Sequence, residues 1–249
     1  MANSADTFER SCDHWSEAGR PEMEDFYALA SVDYRHLAKA IDWNAWFRAR
    51  QKAVGTRSLR LLDVACGSGK FPAALASDAD ISSATASPVD YALLDPSSFS
   101  ISEARQALAA PFQAGAEYEM TLQDFECHPG SFDIVWATHA LYAIPYNELE
   151  IALSRMLNAM GYDGKPENIG AGFIAHHIIA YMIKNTDWNI VTIDRLDLSG
   201  NLNRLDDILS EFSTKDKKRL KVVFHDLKAE INSQIRAEVG KPDIILHLA

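Results

Sequence analysis

Leu59-Arg-Leu-Leu-Asp63-Val-Ala65-Cys-Gly67-Ser-Gly69-Lys-Phe71 is the stretch from which the rest of the chain is read. A short apolar run ends in an acid, Asp63. Small residues follow at Ala65, Gly67 and Gly69, and then a helix-compatible segment, Phe71 to Ala76. This is the order of a strand, a tight turn and a helix start. Glycine in such a turn permits positive φ and keeps side chains away from a ligand lying across the backbone. A second stretch, Tyr91-Ala-Leu-Leu-Asp95-Pro96-Ser97, reads as another buried strand with an acid at its carboxyl end. In a doubly wound sheet ligands bind beyond the carboxyl ends of the strands, and an acid there accepts hydrogen bonds from ribose hydroxyls. The two stretches together predict a nucleoside pocket.

Glycine spacing separates the cofactors that use this plan. A dinucleotide fingerprint needs a third small residue, but Gly67-Ser-Gly69-Lys-Phe-Pro72 has proline there, which disfavours an NAD(P)-dependent oxidoreductase. Asp63-Val-Ala65-Cys-Gly67-Ser-Gly69 fits D-x-G-x-G-x-G with alanine in the first glycine place. In this the chain resembles the class I S-adenosylmethionine-dependent methyltransferases, over roughly residues 59 to 180, the span of one α/β domain. The resemblance implies a Rossmann-like, doubly wound α/β fold: a seven-stranded sheet with helices on both faces, the last strand antiparallel. It implies S-adenosyl-L-methionine as cofactor and S-adenosyl-L-homocysteine as product. It also assigns Asp63, Ala65, Gly67, Gly69, Asp95, Pro96, Ser97 and Thr138 to cofactor binding. Asp124 would accept from the adenine amino group, with Phe125 against the ring.

At 249 residues and 47% hydrophobic, the chain has material for one sizeable core, read as a helical N-terminal cap over 1–55 and a cofactor-binding domain over 56–249. The sequence contains no apolar run long enough to span a membrane and shows no secretory leader at Met1. Three scattered cysteines, Cys12, Cys66 and Cys127, do not form a disulfide framework, so a reducing cytoplasm is expected. Cys127-His128 and His176-His177 lack metal-ligand spacing, and no metal is expected. A net charge of −11 repels phosphate backbones and disfavours nucleic acid as a partner. The basic run Lys215 to Lys221 carries no interleaved aromatics and reads as a solvated face.

Before the glycine turn, Tyr27, Ala30, Tyr34, Leu37 and Ile41 recur at helical spacing. Packing onto the sheet accounts for such a stripe; a sharper reading makes Tyr27, Tyr34 and Trp43 a roof over the acceptor. Beyond it, 78–88 reads as a loop, Ser100 or Ser102 as a helix cap, and Glu117–Leu122, with alternating Tyr118, Met120 and Leu122, as the third strand. Phe132 to Thr138 reads as a central parallel strand that brings His139 to the ligand side. His139-Ala-Leu-Tyr142 is similar to the segment that borders cofactor and acceptor in small-molecule methyltransferases, including those acting on histamine-like amines. Asn147–Met160 reads as a helix, Gly172–Ile179 as a fifth strand ending near His176, and Leu220–Leu227 and Ile244–Leu248 as closing strands.

Methyl transfer asks the protein mainly to align nucleophile, methyl carbon and sulfur. An amine must be neutral and a hydroxyl must lose a proton, so a base near neutrality is needed, and His139 or His176 is the candidate, with Tyr142 beside it. The reading is N-methylation of a small amine or amino-acid derivative. Its alternatives are O-methylation of a phenol or carboxylate and a non-catalytic cofactor-binding partner protein.

Overall fold

The computed structural model describes residues 9, 12–13, 15–40, 42–79, 81, 84–85, 87–161, 175–194, 209–210, 212–225, 229 and 231–240. The chain divides into two compact units, residues 1–161 and 162–249. The N-terminal helices and the glycine-turn sheet share the first unit.

In the first unit, α1 (Arg20–Ala40) and α2 (Trp43–Val54) precede the sheet. Asp42 caps α2 by accepting from the Ala45 N–H, and Gly55 follows its last residue at φ 73°. The remaining elements are β1 (Arg60–Val64), α3 (Lys70–Asp78), β2 (Val89–Leu94), α4 (Ser98–Ala107), β3 (Phe112–Tyr118), β4 (Ile134–Ala137) and α5 (Leu149–Ala159). The strands form a parallel sheet in the order β3-β2-β1-β4. Chain order reverses at β1, so a crevice opens beyond the carboxyl ends of β1 and β4. This is the mixed α/β, Rossmann-like architecture expected, although its sheet has four strands among the described residues where seven were anticipated.

Burial explains the reading. β1, β2 and β4 are apolar runs buried almost end to end, as parallel strands between covering layers must be. Trp136, Phe71, Trp43 and Phe112 cluster with Tyr91 and Phe47 in edge-on or tilted contacts of 5.0 to 6.5 Å, each pair adding about 0.5 to 1.5 kcal/mol beyond area burial. α1 packs on α3 through Tyr34, whose ring lies 6.3 Å from that of Phe71. At the amino ends of the strands, Arg57 and Arg60 both clamp Asp133, at 2.6 and 3.1 Å. Their charges hold its carboxyl well below the usual range despite the opposing cost of partial burial.

Two local expectations shift. The third strand is Phe112–Tyr118, five residues earlier than Glu117–Leu122, and largely exposed. Ser97, not Ser100 or Ser102, caps α4, accepting from the Ser100 N–H at 3.2 Å.

The second unit contains α6 (Ala175–Asn185), β5 (Ile190–Asp194), α7 (Thr214–Lys217), β6 (Leu220–Phe224) and α8 (Ser233–Val239). β5 and β6 pair in parallel, from Ile190↔Leu220 to Asp194↔Phe224. The fifth strand expected at Gly172–Ile179 is corrected: from Ala175 onward the backbone is helix, because Ile178, Ile179, Met182 and Ile183 form one buried stripe of helical period. Residues 172–174 and Ile244–Leu248 lie outside the described residues. Within the basic run, Arg219 donates to the carbonyls of Ile183, Thr186 and Trp188, so it secures the end of α6 instead of facing solvent.

Candidate active site

Three strand ends meet at one edge of the first unit's sheet. β1 leads into the turn Ala65 to Gly69, β2 into Asp95, and β4 into Thr138 and His139. The turn is left-handed at Ala65 (φ 51°), Gly67 (φ 50°) and Gly69 (φ 67°). It is tied down by the Cys66 N–H on the Leu94 carbonyl and the Gly69 N–H on the Cys66 carbonyl, both 3.1 Å. A Cβ on Gly69 would stand 2.9 Å from the Ala104 Cα, so this glycine lets α4 approach the turn. One on Gly67 would stand 2.6 Å from the Tyr27 hydroxyl.

Asp95 is buried. Its Oδ2 accepts from the Gly67 N–H at 3.1 Å and its Oδ1 from the Ser97 N–H at 2.9 Å. Burial pushes its carboxyl up to about 6, with the two amide donors pulling the other way. Each carboxylate oxygen keeps a second lone pair, so the pair of ribose hydroxyls expected of a nucleoside has acceptors waiting. Asp63 sits deeper. Tyr91 donates to it at 2.6 Å and itself receives the Trp136 Nε1–H at 3.2 Å. Burial drives Asp63 up to about 7, opposed by the Tyr91 bond and aided by the Asp95 charge. Its place is beneath the turn, as a buried anchor.

Ser97 has its hydroxyl engaged with the Trp15 carbonyl and the Ser100 amide, and the Pro96 carbonyl accepts from the Cys12 thiol at 3.1 Å. Asp124 is the exposed residue of an otherwise buried turn past the end of β3, its carboxylate accepting from Thr121 at 2.7 Å. Phe125 is in the core, its ring 4.9 Å from Tyr118 and 6.4 Å from Phe132.

His139 follows β4 at φ 52°, a left-handed conformation that costs a non-glycine residue strain and recurs at functional sites. Its half-buried ring meets Tyr34 edge-on at 5.0 Å. Burial holds the imidazole below its ordinary pKa, with Asp33 pulling weakly upward, so the neutral form prevails at pH 7. Thr138, half-buried, precedes it. Tyr142 lies in a 3-10 turn, Leu141–Ala143, and its side chain is outside the described residues. His176 is in the first turn of α6, in the second unit, and not at a strand end.

Of the aromatic candidates, Trp43 belongs to the core, donating its indole N–H to the Leu37 carbonyl at 3.0 Å. Tyr34 is buried between His139 and Phe71. Tyr27 lies on the glycine turn, its hydroxyl accepting from the Ser68 N–H at 3.1 Å, and the Lys70 ammonium rides over its ring at 5.0 Å. Lys70 was missed from the sequence; its position directly after Gly69 was the available signal.

Residues 62–165 match the family model described as a methyltransferase domain. Curated relatives include dTDP-glucose 4,6-dehydratase of Salmonella typhimurium, 37% identical over 82 residues, which are 32% of this chain and 20% of that one. The mouse dTDP-D-glucose 4,6-dehydratase is 33% identical over 81 residues, covering 32% and 21%. The chain thus spans about a fifth of the length of the curated relatives it matches. Among solved structures, a sugar N-methyltransferase from Streptoalloteichus aligns with TM-score 0.37 and 25% identity, over 55% of this chain and 49% of that one. Magnesium protoporphyrin IX methyltransferase from Synechocystis, with bound S-adenosylmethionine, aligns with TM-score 0.43 and 13% identity, over 85% and 88%. The glycine turn and the parallel strand order lie within or beside the segment 62–165, which is similar to a methyltransferase domain.

Proposed function

We propose that the first unit methylates a small molecule, N-methylating an amine or amino-acid derivative. The carrying observation is the half-buried imidazole of His139, which burial holds below its ordinary pKa, at the same end of the sheet as the glycine turn and the buried acid Asp95. When bound, S-adenosylmethionine supplies an electrophilic methyl group. The chain's own residues do the rest: Asp95 and the turn hold the nucleoside, Tyr34 braces the imidazole, and His139 takes the proton that the acceptor must lose. The net charge of −11 favours a cationic acceptor over an anionic one. His139→Ala should lower kcat by roughly 10²- to 10⁴-fold while leaving cofactor affinity unchanged. Full turnover at saturating acceptor would remove His139 from the mechanism, and an oxygen-linked methyl in the product would favour the O-methylation alternative.

A second reading concerns the second unit alone. Part of this chain, 81 to 82 residues, is similar to dehydratases named for a nucleotide-sugar substrate. With α6 starting at Ala175, the sequence leading into it, Gly170-Ala-Gly172-Phe-Ile-Ala175, has the dinucleotide spacing that Pro72 breaks in the first unit. Asp194 ends β5 at a distance of 22 positions from Gly172, close to that of the ribose acid in such units. The proposed ligand is NAD. Calorimetric titration of the full chain with NAD tests this: binding that Gly172→Val abolishes is expected, and no binding by the parent chain rejects it.

A further inference from the structure

The face of the glycine turn that Gly67 keeps clear of its own side chain is held by a side chain from α1. Tyr27, half-buried, reaches across it: its hydroxyl accepts the Ser68 N–H at 3.1 Å and stands 2.6 Å from where a Cβ on Gly67 would be. The outward amide of the turn, on which a ligand lying across that backbone would bond, is therefore already answered from within the chain. Two rings and a cation keep Tyr27 in place. Trp15 and Phe26 pack on it with centroids 5.8 and 5.4 Å away, and the Lys70 ammonium stands 5.0 Å from its centre. The segment leading into α1 is fastened beside Asp95, where the Trp15 carbonyl accepts from the Ser97 hydroxyl and the Cys12 thiol donates to the Pro96 carbonyl at 3.1 Å. Arg20 pairs with Glu103 of α4 at 3.4 Å and lies over the Phe99 ring at 4.9 Å. Singly these contacts are weak, a neutral phenol as acceptor, a thiol donor and a partly exposed ion pair. A ligand that binds the turn more strongly than the phenol does will shift the chain away from this arrangement.

We propose that Tyr27 is an autoinhibitory stopper: it occupies the face of the glycine turn that the methyl donor needs, and the donor must displace it to bind. The proposal rests on the reading that this turn binds S-adenosylmethionine. It makes Tyr27 a competitor of the donor, neither one of its ligands nor part of an acceptor roof. Tyr34, seven positions on, lies on the same face of α1 and meets His139, so displacing Tyr27 acts on the helix that also braces the base. Apparent donor affinity is then the intrinsic affinity reduced by the fraction of chains in which the stopper is withdrawn.

Calorimetric titration of the full chain with S-adenosylhomocysteine tests this by the sign of the effect. Tyr27→Phe keeps the ring and its packing but gives up the bond to Ser68, so it is expected to tighten the ligand by about fivefold, the effect of one neutral hydrogen bond. Tyr27→Ala removes the stopper altogether and should tighten it further. In the parent chain, hydrogen exchange over residues 15–27 should quicken when S-adenosylhomocysteine saturates, because the ligand releases that segment. Unchanged or weaker binding by Tyr27→Phe, or exchange that is unchanged or slowed, overturns the stopper and leaves the nucleoside cradle standing. Binding by Tyr27→Ala but not by the parent supports the stopper. If neither binds, the cradle itself is rejected, and the stopper with it.

Discussion

Ala65 carries the most informative local strain. It occupies the first glycine place of the turn and is held at φ 51°, where a Cβ crowds the following carbonyl. The cost, about 1 to 2 kcal/mol, is one that glycine does not incur. Ala65→Gly should therefore raise stability by about 0.5 to 1 kcal/mol after its larger unfolded-state entropy is counted, seen as a higher urea midpoint at unchanged m-value. Gly69→Ala, facing the same backbone demand and the Ala104 Cα at 2.9 Å, should lose roughly 2 to 4 kcal/mol. An Ala65→Gly protein no more stable than its parent would contradict the left-handed turn.

Asp95 sets a pH dependence at the same scale. Its carboxyl is pushed up to about 6, and on the proposed function the ionised form is the one that would accept both ribose hydroxyls. Donor hydrogen bonds therefore favour deprotonation. Affinity for S-adenosylhomocysteine should be level above about pH 6 and fall about tenfold per unit below it, one proton being taken up per ligand released. Titrations at several pH values check this, with Asp95→Asn expected to bind more weakly and without that slope.

Among elements, what could be read from the sequence tracks burial. β1, β2 and β4 are near-continuous buried runs, and the glycine spacing marks the turn, so the turn at Gly67 and Gly69 and the place of Asp95 just after β2 were legible before any coordinates. β3 was not. As an edge strand, Phe112-Gln-Ala-Gly-Ala-Glu-Tyr118 is exposed over most of its length and shows neither an apolar run nor alternation, so pairing to β2 defines it. The alternation at Tyr118, Met120 and Leu122 misled because Leu122 is buried from a turn. α6 differs for another reason: the apolar run extends past Ile179 to Ile183, a length and period that suit a helix better than the strand expected at Gly172–Ile179. Tyr27 was found as an aromatic on a helical stripe, but periodicity says which face a residue shares and not which loop lies opposite. The Asp133 clamp escaped notice too, since Arg57, Arg60 and Asp133 are distant in sequence. Asp133 also accepts the Arg60 N–H at 2.9 Å, joining the start of β1 to the approach of β4. Asp133→Ala should cost about 1 to 3 kcal/mol by leaving that amide unanswered, measured as a loss in denaturant stability with cofactor affinity kept.

For the whole molecule, the two compact units make a prediction about cooperativity. Residues 1–161 hold the glycine turn and the four-stranded sheet and residues 162–249 the β5–β6 pair, each with buried apolar residues of its own. Chains built this way depart from two-state unfolding. Calorimetric scanning of the full chain should then resolve two transitions. A ligand shifts only the transition of the unit that binds it, by RT ln(1 + [L]/Kd), which is about 2.7 kcal/mol at a hundredfold excess over Kd. For a unit of this size the shift amounts to roughly 5 to 10 °C. S-Adenosylhomocysteine should move one transition and leave the other in place, and NAD, on the second reading, should do the reverse. A single transition displaced as a whole by S-adenosylhomocysteine would mean that the units unfold as one body, and the separate assignment of ligands to them would lose its thermodynamic basis.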